Sequence, residues 1–246
     1  MTDQLYGAPD LVSVYDLVNP LGPEADSFEA LAGAAPKRIL DVGCGTGRLA
    51  SRLAGLGHHV TGAEPAVLML EQARRRPGGK QVSWVCSDAA SLSVPTRFDL
   101  ILLAGHVFQV FLGDDEARDV LGNLRAHLAR DGRIAFATRN PAAHEWEQWT
   151  EDLSLETVVT PTLGAVTVYW DVSAIEGTLI TYTTNLSLPD GTIRRGQDTI
   201  RFRSQGAIEQ LLSDSGLVAA AWYGDWSGAA LTATQLEIIV VAHSAP

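Results

Sequence analysis

The residues best suited to do chemistry stand in the stretch RILDVGCGTGRLA, residues 38–50. Apolar Ile39 and Leu40 lead to Asp41, and glycines follow at positions 43, 45 and 47. A buried strand, a tight loop and a helix starting at about Arg48 are how a doubly wound α/β sheet opens a cofactor site. Counted from Gly43, the sixth position is Arg48, so the dinucleotide pattern G-x-G-x-x-G fails. No Lys-Ser/Thr pair follows Gly47, which excludes a P-loop. A carboxylate at the mouth of such a loop would repel a pyrophosphate. It favours an ammonium group, directly or through water.

Two more acids fall where ligand groups belong. Glu64 is expected to end the second strand, where a carboxylate can accept both hydroxyls of a ribose. Asp88 is expected to end the third, where it can accept from an adenine amino group. Asp41, Glu64 and Asp88 would then share the carboxyl edge of the sheet, where open α/β sheets bind ligands. An amine, a ribose, an adenine and no phosphate describe S-adenosylmethionine (SAM).

The elements that would position these residues alternate. RILDVG, HVTGAEP, VSWVCSD, RFDLILLAG and RIAFATRN read as continuous apolar strands. Between them, GRLASRLAGLG and AVLMLEQARRR read as amphipathic helices, as does DEARDVLGNLRAHLARDG, closed by Asp131-Gly132. Residues 1–35 read as helical segments broken at Pro9, Pro20 and Pro23. From Pro141 the pattern changes. Residues 165–203 alternate with period two: Val166, Val168, Trp170 and Val172 share one face, and Ile180, Tyr182, Thr184 and Leu186 another. Asp190-Gly191 signals a hairpin. SQGAIEQLLSDSG then reads as a helix with Ser204 as N-cap, before two final strands, LVAAAWY and LEIIVVAHS.

The chain has 246 residues, 46% of them hydrophobic and 19% charged, enough apolar content for a sizeable core. Its formal net charge of −11 would repel DNA or RNA, so no nucleic-acid partner is expected. The start, MTDQLYGAPDLV, carries no basic region followed by an apolar run. The longest apolar run, residues 100–112, is too short for a membrane span. A cytoplasmic location and no membrane partner are the expectation. Cys44 and Cys86 lack metal-site spacing and read as two buried free thiols; no metal is expected.

The chain resembles the class I SAM-dependent methyltransferases. The resemblance rests on LDVGCGTG, on Glu64 in VTGAEPA, on CSDAASL, on FDLILLAGHVFQVF and on LARDGRIAF, and it covers roughly residues 36–140 and the last two strands. It implies a seven-stranded, mostly parallel, Rossmann-like sheet whose last strand runs antiparallel. It also implies a SAM site at Asp41, Gly43, Glu64, Asp88, Ala89 and Ala104 to His106, Gly105 included. Around these, Tyr15, Cys44, Gly45, Gly47, Pro65 and Met69 complete the expected cofactor set. Many relatives carry Asp where this chain has Glu64, and both can bridge a ribose. Residues 141–216 look, in layout, like the antiparallel lid of small-molecule methyltransferases such as those acting on deoxyamino sugars. The expected division is 1–35 as a helical segment, 36–140 as the core, 141–204 as the lid and 205–246 as the return to the sheet.

Methyl transfer from a sulfonium is an in-line displacement that needs mainly proximity and alignment. A base is needed only where the acceptor arrives protonated. His106, after the fourth strand, either orients or deprotonates the acceptor or makes a structural hydrogen bond. Tyr15 either closes over the site or is a core tyrosine; Tyr6 is a weaker candidate for the same role. Arg139 and Asn140 face the acceptor or brace the crossing into the lid. Trp146, Trp149, Trp170, Tyr182, Tyr223 and Trp226 are candidates for an acceptor wall, most of them core. Arg194, Arg195, Arg201 and Arg203 form the one basic cluster, read as a solvated strand face, and Arg48 is expected to make a local ion pair. The expected partner is a small organic acceptor taking methyl on N or O, and the chain a monomer or homodimer. An NAD-dependent oxidoreductase and a non-catalytic SAM-binding protein are the competing readings.

Overall fold

A computed structural model describes residues 9–160 and 163–245; Tyr6 lies outside them. Seven strands form one sheet: β1 (Arg38–Val42), β2 (His59–Ala63), β3 (Ser83–Val85), β4 (Phe98–Leu103), β5 (Leu128–Arg139), β10 (Leu217–Tyr223) and β11 (Glu237–Ser244). Their order is β10-β11-β5-β4-β1-β2-β3. β11 is antiparallel to both of its neighbours, and the remaining pairs are parallel. The chain winds outward from β1 to β3, then returns to β4 on β1's other side. That reversal opens a crevice at the carboxyl ends of β1 and β4.

Alternation along β1 shows why the sheet is covered on both faces. Leu40 and Val42 join a core layer with α5 (Asp114–Ala126) and α7 (Gln205–Asp214). Ile39 joins the opposite layer with α2 (Pro23–Ala32) and α3 (Arg48–Gly55). Strands buried on both faces are apolar throughout, as parallel sheets require.

Between β5 and α7 the chain inserts a one-turn helix, α6 (Glu151–Ser154), and a second sheet. β6 (Glu156–Thr160), β7 (Gly164–Glu176), β8 (Leu179–Ser187) and β9 (Ile193–Arg201) form an antiparallel meander. The hairpin from β8 to β9 passes through Asp190-Gly191. Val166 and Val168 of β7 and Leu186 of β8 pack on Leu11, Val14 and Val18 of α1 (Pro9–Val18) and on Met69 of α4 (Val67–Arg75). The two sets read as separate faces, 166/168/170/172 and 180/182/184/186, therefore point to the same side of the lid. They cover α1 and the crevice.

Four local expectations need correction. Pro9 and Pro23 open α1 and α2 rather than break them; a proline in the first turn has no N–H to lose. β3 stops at Val85, so Asp88 stands on the loop beyond it and Cys86 is exposed rather than buried. α5 ends at Ala126, and Asp131-Gly132 lies inside β5. The cause is a pairing shift between Phe98 and Leu100 of β4. His127 terminates the helix, its ring 2.9 Å from the Asn123 carbonyl. Gly132 then passes so close to the Phe98 carbonyl that a Cβ would sit 2.6 Å from its oxygen. Finally, Arg203 is buried at 2% exposure rather than solvated. No helix among the described residues is long and apolar enough to cross a membrane.

Candidate functional site

The glycine loop is shaped by left-handed backbone. Gly43, Gly45 and Gly47 have φ of 67°, 53° and 75°, a region that L side chains avoid. A Cβ on Gly43 would also come within 2.6 Å of Val107. The Gly43 and Cys44 amides both donate to the Ala63 carbonyl, at 2.8 and 3.1 Å, which pins the loop across the end of β2. Gly47 serves as N-cap of α3 and packs against Trp84.

This loop floors a cleft of about 890 Å³ that runs along the carboxyl edge of the sheet and under the lid. Of the residues expected to bind a cofactor, Tyr15, Asp41, Gly43, Cys44, Gly45, Glu64, Pro65, Met69, Asp88, Ala89, Ala104, Gly105 and His106 line it. Gly47 does not. Its role is to start the helix.

Asp41 is 1% exposed, and its Oδ1 has no hydrogen-bond partner. Burial, together with Glu24 and Glu64, pushes its carboxyl up to about 8. Burial likewise raises Glu24 and Glu64. An orphaned buried carboxyl facing a cleft is costly unless something cationic satisfies it. Glu64 is held differently: its two oxygens accept the Gly45 amide at 3.0 Å and the Ala66 amide at 2.9 Å. Each carboxylate oxygen has a second lone-pair site, so acceptor capacity toward a diol is left. Asp88 is exposed, and its Oδ1 accepts from the Ser91 amide and hydroxyl at 2.7 and 2.8 Å. Those bonds hold its carboxyl below the usual range. Burial beside Asp41 and Glu64 pushes the Cys44 thiol well up, which makes it an inert neighbour.

Helix α1 closes the cleft from above. The Tyr15 ring lies over the glycine loop, 3.8 Å from where a Cβ on Gly45 would stand. Asp16 fastens the helix down: it pairs with Arg48 of α3 at 3.3 Å and with Arg76 beyond α4, and it accepts from the Thr46 hydroxyl. Arg48 thus makes a long-range clamp rather than a merely local ion pair.

At the other end, His106 follows β4 in a left-handed conformation, φ 60°. Its Nε2 lies 2.9 Å from both carboxylate oxygens of Glu237. The preceding Gly105 amide donates to Glu24 Oε1 at 2.7 Å. Phe108, fully buried and stacked on Phe136 at 4.4 Å between centroids, anchors the turn. Arg139 also reaches the cleft and donates to Gln109 Oε1 at 2.9 Å. Its Nε is 3.1 Å from Glu145, a charge contact without an aligned hydrogen bond. From the lid come Trp170, Tyr182, Thr184 and Asp198. Among the described residues Asp198 makes no hydrogen bond or ion pair through its side chain, and burial raises its carboxyl.

The other candidates stand elsewhere. Trp146 and Trp149 pack on Phe202, and Tyr223 and Trp226 pack in the layer of Phe28. Asn140 braces the crossing, donating to the Thr232 and Gln235 carbonyls. Arg201 and Arg203 pair with Asp114, and Arg195 donates to Asn185.

Residues 39–132 match the methyltransferase-domain family. The whole chain superposes on the CcbJ methyltransferase from Streptomyces caelestis with a TM-score of 0.78, at 21% identity, covering 95% of this chain and 96% of that one. Residues 39–132 are thus a methyltransferase domain. The architecture is also shared by a SAM-bound amino pentose methyltransferase from Micromonospora echinaspora, with a TM-score of 0.64, 19% identity, and 93% and 95% coverage. By sequence, the domain is 35% identical over 103 residues to a malonyl-[acyl-carrier protein] O-methyltransferase from Bacillus anthracis, covering 41% of this chain and 37% of that one. The chain thus matches about half or less of the length of such curated relatives.

The cofactor of this domain class is SAM, and the residues present fit it. The unpartnered Asp41 oxygen suits a cationic amine, Glu64 a ribose diol, and the free side of Asp88 an amino group. The fold also brings to the cleft and its supports residues that were not singled out in the sequence. Glu24 is one acid among several in α2. Asp16 sits inside an amphipathic helix. Asp198 and Glu237 had a faint signal, each a lone acid in an alternating or apolar strand.

Proposed function

We propose that this protein transfers a methyl group from SAM to a nitrogen of a small organic acceptor held between the sheet edge and the lid, in the cytoplasm. The observation that carries the reading is the buried Asp41 carboxyl, with one oxygen unpartnered, beneath a glycine loop that lacks the dinucleotide pattern. When bound, SAM supplies a methyl carbon already activated by a positive sulfur. Asp41 and Glu64 would hold the amine and ribose ends, Asp88 the adenine end, and Tyr15 on its clamped helix would keep water out. What remains for the chain is to bring the acceptor into line and to remove its proton.

Nitrogen is favoured over oxygen by Asp198. A half-buried carboxylate without a described partner, flanked on the lid's inner face by Tyr182 and Trp170, suits a protonated amine. The acceptor named for the amino pentose methyltransferase belongs to the class such a pocket would take. In this reading His106, which lines the cleft, accepts the proton.

Calorimetric titration with SAM, S-adenosylhomocysteine and NADH in parallel tests the cofactor. Binding of the first two and not of NADH is expected; binding of NADH alone would sink the reading. With methyl-labelled SAM, amino sugars and alkylamines are expected to take up label ahead of matched alcohols. The reverse order would move the acceptor to oxygen.

A further inference from the structure

His106 and Glu237 stand 131 positions apart in the chain, yet Nε2 is equidistant, at 2.9 Å, from both Glu237 oxygens. A carboxylate only accepts, so the proton of the neutral ring belongs on Nε2. His106 lines the cleft and Glu237 does not. The carboxylate therefore occupies Nε2, and Nδ1 is the ring nitrogen without a hydrogen bond among the described residues. We infer that Glu237 is a positioning residue: it fixes the Nε2–H form of His106, which leaves Nδ1 bare to take the proton of the acceptor. This rests on the methyltransferase reading above.

Three features separate this pair from an incidental surface contact. The turn carrying His106 is strained, since it holds a non-glycine residue in the left-handed region, φ 60°. It is nonetheless held from two sides, by Glu24 through the Gly105 amide and by the buried Phe108. Glu237 opens β11 directly ahead of the buried run Ile238 to Ala242, so its carboxylate is carried at the fixed end of a core strand. The pair is also only partly exposed, at 23% for the His106 side chain and 17% for Glu237. The charged groups around the ring are Glu237 from β11, Glu24 from α2 and Arg139 from β5. Arg139 is engaged by Glu145 and Gln109, which leaves Glu237 as the ring's direct partner.

The step balances simply. The proton leaves the ammonium nitrogen of the acceptor for Nδ1, and the nitrogen keeps the bonding pair as its nucleophilic lone pair. The resulting imidazolium is stabilised by Glu237 and later returns the proton to solvent.

The test needs no known acceptor. The full chain is labelled with 15N-histidine, and long-range 1H–15N spectra are recorded at a fixed alkaline pH that keeps imidazoles neutral, with and without S-adenosylhomocysteine; His106→Gln assigns the signal. The expected spectrum has the proton on Nε2 and a bare Nδ1. Glu237→Leu, which cannot accept the Nε2 hydrogen bond, is expected to lose that preference, with the proton shared between the two ring nitrogens. Glu237→Gln, whose amide oxygen can still accept, is expected to keep most of it. A proton on Nδ1, or an Nε2–H preference unmoved in Glu237→Leu, overturns the inference. If calorimetry shows no S-adenosylhomocysteine binding, the methyltransferase reading falls instead, while the spectrum of the free protein still reports the pair.

Discussion

Asp41 shows what one residue can reveal about a missing partner. Its carboxyl rises from 3.8 to about 8 on burial, so in the free folded protein at neutral pH it is largely protonated. The unfolded chain would have released that proton by about pH 5. A raised carboxyl contributes stability that is present below about 4 and lost as the pH climbs through about 8. The free wild-type protein is therefore expected to melt at progressively lower temperature across that window. Asp41→Asn is expected to flatten the dependence, and scanning calorimetry between pH 5 and 9 checks it. A cationic ligand has the opposite demand, because it binds the ionised form. SAM affinity in Asp41→Asn is expected to fall at least about tenfold, about 1.4 kcal/mol. Melting curves of equal slope in both proteins would mean that Asp41 does not titrate in this window.

At the scale of elements, α1 is the part that turns an open sheet edge into a closed cleft. Its apolar face, Leu11, Val14 and Val18, is shared with the lid, but Asp16 is what ties it to the core through Arg48, Arg76 and Thr46. Asp16→Ala leaves two partly buried guanidinium groups facing each other without a counter-charge. S-adenosylhomocysteine is expected to leave about tenfold faster, and amide exchange across residues 11–18 to quicken while β1 and β4 stay protected. Unchanged exchange there would show that the apolar contacts suffice. The elements themselves were legible because their signals are local: Ile39, Leu40 and Val42 announce a doubly covered strand, and Ser204 with its bond from the Ala207 amide announces a helix start. The failures have physical causes too. Asp131-Gly132 looked like a helix stop, but its glycine serves a close strand approach. Asp88 looked like a strand end, but β3 is an edge strand that stops early. Asp16, Glu24 and Glu237 could not be read as site residues, because each acquires its meaning from a partner brought near only by the fold.

For the molecule as a whole, the question is whether lid and core behave as one body. The chain's net charge of −11, with Glu24, Glu64 and Asp198 around one cleft, gives a field that draws cations toward the space between them. Such a space keeps its dimensions only if the lid is fixed. The tie is Arg203, at the exit of β9. It is 2% exposed, pairs with Asp114 of α5 at 3.0 Å, and donates to the carbonyls of Phe111 at 2.8 Å and Gly113 at 3.2 Å. Its guanidinium also lies over the Phe108 ring, 5.5 Å from the centroid, and Phe108 anchors the His106 turn. Arg203→Met keeps much of the volume and removes all of these bonds. Because Asp114 is half exposed, it can rehydrate, whereas the carbonyl of buried Phe111 loses a donor. A loss of about 2–3 kcal/mol is expected, which for a chain of this size lowers the melting temperature by about 5–10 °C. Arg194→Met, on the exposed strand of the same sheet, serves as the control and should shift it by no more than about 1 °C. If lid and core are one cooperative unit, Arg203→Met melts in a single earlier transition. Two separated transitions would instead show a lid that detaches before the core unfolds, and a cleft whose outer wall is only conditionally present.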